Sequence, residues 1–158
     1  MPITERIKRM TPGDWARAAG VGILTAIFLS AVMMVMQKTG LSPLPGPLGP
    51  AFAERLVGHP LPLPAGLLFH VVYVTFWSIA FVTLYRDDLS FSKALLLALA
   101  LWIGVLVVFF PVVGWGFFGL GIGPKLIIGS LIPHLLFAAF LWGLCRMMFA
   151  GNRPDAAR

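Results

Sequence analysis

Four stretches of this chain are continuously apolar and contain neither aspartate nor glutamate: Trp15 to Met36, Leu63 to Tyr85, Ala94 to Gly114 and Leu126 to Phe149. Each is long enough, at about 1.5 Å per residue, to cross ~30 Å of hydrocarbon as a helix. Within a bilayer only helices or closed barrels satisfy every backbone polar group. The expected fold is therefore all-α: a polytopic, four-transmembrane-helix bundle forming one domain over residues 1–158.

Composition agrees with a lipid solvent. Of 158 residues, 59% are hydrophobic and 11% charged, less than half the roughly 25% charged share of a soluble domain. Arg17, Arg146 and the acidic residues fall at span ends, in loops or in tails, where their charges reach water. The net charge of +6 does not point to nucleic acid, because the basic residues are dispersed over short segments with no soluble domain to gather them. They report orientation instead. Arg6, Lys8, Arg9, Arg17, Arg86, Lys93, Arg146, Arg153 and Arg158 share one side of an alternating four-helix topology, and Lys38, Arg55 and Lys125 the other. The positive-inside rule then places both termini in the cytoplasm. The first span is too long for a signal-peptide core and is expected to stay attached. The single Cys145 forms no internal disulfide, and its place near the cytoplasmic end suits a reducing compartment.

Local signals define the elements. In "TPGDW", Thr11 is the expected N-cap, Pro12 the first helical residue and Asp14 the acidic partner of the cap, with Trp15 at the headgroups. Ala18, Gly22, Ala26 and Ser30 recur every four residues, a small-residue face suited to close helix packing. The first external loop is too rich in Pro and Gly for a continuous helix, except over "PAFAERLV". There Pro50 is expected to open a short surface helix whose Ala51, Phe52, Leu56 and Val57 lie on the membrane or cover the bundle. "YRDDLSFSK" reads as a tight cytoplasmic turn in which Asp87 and Asp88 are solvated. Pro111 predicts a kink in the third span.

The segment "PVVGWGFFGLGIGPK" matches G-x-G-x-x-G at Gly114, Gly116 and Gly119. A dinucleotide loop requires a preceding strand, a following helix and an acidic residue about 20 positions on. Here an apolar helix precedes, and no acidic residue follows until Asp155. The segment is read as a short external hairpin anchored by Trp115, Phe117 and Phe118, with a re-entrant loop as the sharper alternative.

Polar groups inside lipid mark function by default. They are Thr25, Ser30, His70, Tyr73, Thr75, Ser78, Thr83, Ser130 and His134. Ser and Thr can bond back to their own helix, so the histidines carry the sharper question. His70 and Tyr73 share a helix face, with Trp77 a turn further, and His134 follows Pro133. Counting ~1.5 Å per residue from the external ends puts His70 roughly 11 Å and His134 roughly 12 Å deep. At one depth, the histidines read as a buried hydrogen-bonded lock, paired with each other or with Tyr73, as ligands of a b-type haem or, with a third donor, of a metal, or as a small-ligand or quinone contact. Met33, Met34 and Met36 point to different faces and read as packing residues rather than copper ligands. No intramembrane carboxylate, Ser-His-Asp set or base beside Cys145 is present, which argues against catalysis.

The glycine- and alanine-rich first helix, "HVVY" in the second, "FFPVVGWG" ending the third and "PHLLFAAFLWG" in the fourth together resemble the small YagU-like bacterial inner-membrane proteins. The resemblance spans roughly residues 19–144; the glycine usual after the His-x-x-Tyr tyrosine is Val74 here. It implies a bacterial inner-membrane location and no established biochemical activity. The expectation is a non-enzymatic accessory, scaffold or stress-related protein without a metal or cofactor, with lipid, another membrane protein or a homo-oligomer as partner. A haem b- or quinone-binding redox anchor and a small oligomeric transporter are the alternatives.

Overall fold

The computed structural model describes residues 2–149. Arg153 and Arg158, counted above with the terminal side, lie outside them, as does Asp155. Among the described residues there is no strand, and six helices carry the fold. They are α1 (Ile3–Lys8), α2 (Pro12–Lys38), α3 (Leu48–Val57), α4 (Leu63–Tyr85), α5 (Phe91–Val112) and α6 (Lys125–Met148). Helices α2, α4, α5 and α6 are each long and apolar enough to span a membrane. The second expected span is reproduced to the residue, and the others shift by a few positions at their ends.

The N-terminus of α2 forms as its sequence dictates. Thr11 Oγ1 accepts from the Asp14 backbone N–H at 3.2 Å, and Asp14 Oδ2 accepts from the Thr11 backbone N–H at 2.9 Å. This reciprocal capping box satisfies two donors that the first turn would otherwise strand.

Helix α2 is the centre of the packing, lying against both α4 and α6, while α5 packs on α6 and scarcely touches α4. Ala18, Gly22 and Ala26 are buried and Ser30 is half-buried, so the small-residue face of α2 points into the bundle. A Cβ at Gly22 would stand 2.5 Å from Thr75 Cα, so the two backbones meet there in a way only glycine permits. Where lipid is as apolar as leucine, this approach supplies the dispersion contacts that hold helices together. The main core is built from Val21, Leu29, Phe81, Val82, Phe137 and Leu141 around Ala94, Ala98 and Ala138. On the outside, Ile23, Ile27, Val72, Phe76, Leu96, Ile103 and Ile128 are exposed, as a lipid-facing surface requires.

The end of the bundle remote from the start of α2 and the end of α6 is closed by loops. Leu44 is buried against Val105, Leu106, Phe110 and Leu126. Pro43 sits over Gly129, where a Cβ would fall 2.0 Å from its ring. Helix α3 begins at Leu48, two residues before Pro50, and covers the bundle with Phe52 and buried Ala53 while Leu56 and Val57 remain exposed. It lies on the first turns of α4. Phe52 then stacks on Phe109 at 4.1 Å between centroids and meets Phe69 at 5.9 Å.

The distortion expected at Pro111 takes the form of a π segment, Val105–Phe109, followed by one last helical turn. Phe110 N–H reaches back five residues to the Val105 carbonyl. A proline has no N–H and its ring collides with the carbonyl four residues earlier, and widening the preceding turn accommodates both.

Candidate functional site

The glycine segment is settled by its backbone. Gly114, Gly116 and Gly119 all have positive φ, and so does Phe118 at 58°. Gly121 N–H bonds to the Trp115 carbonyl at 3.0 Å, Trp115 N–H to the Phe110 carbonyl at 2.8 Å and Gly123 N–H to the Gly119 carbonyl at 2.9 Å. The loop spends these donors on itself, whereas a phosphate cradle aims such donors outward. Trp115 packs on Phe110, and Phe117 is 64% exposed beside exposed Phe118, Leu120 and Ile122. The result is a compact hairpin with an apolar tip.

Ser78 and Thr83 bond back to their own helix, and Thr25 Oγ1 and Thr75 Oγ1 are buried with no hydrogen-bond partner among the described residues; the other polar groups of interest fall in three places. The first is α4. His70 is half-buried with its ring against Gly49 of α3, and makes no hydrogen bond among the described residues. One turn on, Tyr73 meets Phe109 of the π segment edge-on at 5.5 Å and Trp77 at 6.3 Å. The second is the α5–α6 contact. Trp102 Nε1 donates to the Ile127 carbonyl at 3.2 Å and to Ser130 Oγ at 3.1 Å, and Ser130 Oγ donates to the Ile127 carbonyl at 3.1 Å. His134 Nδ1 lies 2.7 Å from the Ser130 carbonyl. A carbonyl only accepts, so Nδ1 carries the proton and Nε2 is the basic nitrogen.

The pairing expected between His70 and His134 is not formed. Their helices, α4 and α6, both pack on α2 rather than on each other, and no hydrogen bond joins the rings. His134 bonds to its own helix, and α3 lies against the His70 ring. Equal depth is an expectation from rise per residue, whereas which way each ring faces depends on the order of helices around the bundle. Among the described residues, no group of three or more His, Cys, Asp and Glu is close enough to hold a metal ion.

The third place lies at the end of the bundle where α2 starts and α6 ends, and the sequence analysis did not assemble it. Asp14 is 2% exposed. Its Oδ2 accepts from Arg86 Nη1 at 2.5 Å and from Thr11 Oγ1 at 2.6 Å as well as from the Thr11 backbone. One carboxylate thus caps α2 and binds the residue that follows α4. Arg86 Nη1 also lies 3.4 Å from Met10 Sδ, Arg9 Nη2 is 3.6 Å from Asp87 Oδ1, and Arg6 Nη1 donates to the Leu84 carbonyl. Asp87 is therefore drawn toward α1 rather than only solvated. Nearby, Lys93 stands over the Tyr85 ring at 5.6 Å and Arg146 over Trp142 at 5.2 Å, cation–π contacts suited to a headgroup boundary. The available signal was that Asp14 and Arg86 both close spans at the same end.

Fold and polar placement define the class: a multi-pass helical membrane protein. Compared with known protein families, curated proteins and solved structures, the chain gives no match.

Proposed function

We propose that this chain is a non-enzymatic protein of the bacterial inner membrane, with both termini cytoplasmic, acting as an accessory or scaffold subunit within a larger membrane assembly or homo-oligomer. The supporting observation is the use made of polar side chains in the spans. Ser78 and Thr83 donate to the Val74 and Ile79 carbonyls, Ser130 to that of Ile127 and His134 to that of Ser130. These four groups serve their own helices, as a scaffold that acts through its outer surface would use them, while Thr25 Oγ1 and Thr75 Oγ1 are buried without a hydrogen-bond partner among the described residues. The orientation draws on Arg6, Lys8, Arg9, Arg17, Arg86, Lys93 and Arg146 sharing the end that carries the termini. The bacterial inner membrane is also what the YagU-like resemblance implies.

A haem b- or quinone-binding anchor is the second reading, favoured by one observation: His70 lies within the membrane without a hydrogen bond in the protein. Gentle purification followed by native electrophoresis and an absorption spectrum separates the two. The scaffold reading expects a particle larger than one chain and no Soret band. A monomeric particle with a Soret band, bleached by His70→Leu, overturns it.

A further inference from the structure

At the end of the bundle where α2 starts and α6 ends, a narrow cleft opens between α1 and the last turn of α4. It is lined by Arg6, Arg9, Thr83, Arg86 and Asp87 and has room for a water-sized group. Three guanidinium groups meet there with Asp14 and Asp87, so among the described residues the cations of the cluster outnumber its carboxylates. The three arginines come from two separated parts of the chain, held together by the Arg6–Leu84 and Arg86–Asp14 bonds and the Arg9–Asp87 pair. A guanidinium has five N–H donors in a planar fork and can share them between a protein oxygen and a phosphate.

Exposed apolar side chains lie on the elements that flank the cleft. Helix α1 buries none of its residues, and Ile3 and Ile7, one turn apart, are 54% and 45% exposed. Trp15, at the start of the adjoining span, is also exposed. A short helix with isoleucines one turn apart, Arg6 and Lys8 among its other residues and Arg9 directly after it fits the headgroup region of a bilayer, where apolar side chains enter the acyl boundary and cations meet phosphate.

From this juxtaposition we propose that α1 and the end of α4 form a binding site for an anionic phospholipid of the adjacent leaflet. One phosphate oxygen enters the Arg6–Arg9–Arg86 cleft, and the acyl chains run beside Ile3, Ile7 and Trp15. A diacyl lipid with a net negative headgroup is the occupant. A zwitterionic lipid carries its own ammonium group, which the arginines repel.

The full chain, delipidated in detergent and titrated with phosphatidylglycerol or phosphatidylcholine under native mass spectrometry, tests this. Phosphatidylglycerol should bind more tightly, and Arg6→Gln with Arg9→Gln should weaken it by about fivefold per arginine, about 25-fold for the pair. Asp87→Asn removes the negative charge of the lining and should tighten binding by a few-fold, which a merely structural role for these residues would not produce. Lys38→Gln with Lys125→Gln, at the opposite end, should change nothing. Should the double arginine variant fail to fold, Arg9→Gln alone and Asp87→Asn still give opposite signs. Equal binding of the two lipids, an unchanged affinity in the arginine variants, or displacement by inorganic phosphate as effective as displacement by phosphatidylglycerol overturns the proposal.

Discussion

Asp14 Oδ2 lies 2.5 Å from Arg86 Nη1, so the first turn of α2 is bound by charge to the residue that ends α4. Asp14 is almost wholly buried and Arg86 mostly so. Removing the arginine therefore strands a carboxylate, while removing both charges strands neither. Arg86→Leu is expected to cost about 3 kcal/mol, and adding Asp14→Asn should recover a large part of it. Thermal unfolding in detergent of the two single variants and the double measures this; Arg86→Leu melting with the parent protein would show that the pair contributes nothing.

The α2–α4 crossing depends on the absence of a side chain at Gly22. Because the atom met is Thr75 Cα and not a flexible side chain, even Gly22→Ala forces the helices apart, at about 1–3 kcal/mol. Ile23→Leu on the exposed face should be near neutral. Equal heat resistance of the two variants in detergent would place the contact elsewhere.

Topology needs an introduced probe, because Cys145 is 0% exposed and should resist a thiol reagent in intact and broken cells alike. In a Cys145→Ala background, His59→Cys should be labelled by an impermeant reagent in intact cells and Asp88→Cys only after lysis. Both parent residues are exposed, one at each end of the bundle. The reverse pattern would invert the orientation.

His70 and His134 share no hydrogen bond, so His70→Leu and His134→Leu should act independently. Their effects on melting should add within about 0.5 kcal/mol in the double variant. A double variant clearly more stable than the sum of the two singles would restore the lock.

Much of this protein is written in local sequence. Apolar runs free of acidic residues delimit the four spans because length and hydropathy are properties of consecutive residues, and "TPGD" specifies the cap of α2 because its partners are three residues apart. The four-residue recurrence from Ala18 to Ser30 marks the face of α2 that turns inward, and Pro111 marks the distorted turn. What the sequence does not carry is the order of the helices around the bundle. All four are apolar on every side, so no polar stripe tells a helix which neighbour to choose. That choice falls to side-chain fit: glycine against backbone at Gly22 and Thr75, proline over Gly129, and Phe52, which meets Phe69 of α4 and stacks on Phe109 of α5 and so draws α3 over both. The same fit brings Asp14 to Arg86 and leaves His70 and His134 without a shared bond, because contacts between residues distant in the chain exist only once the helices have packed.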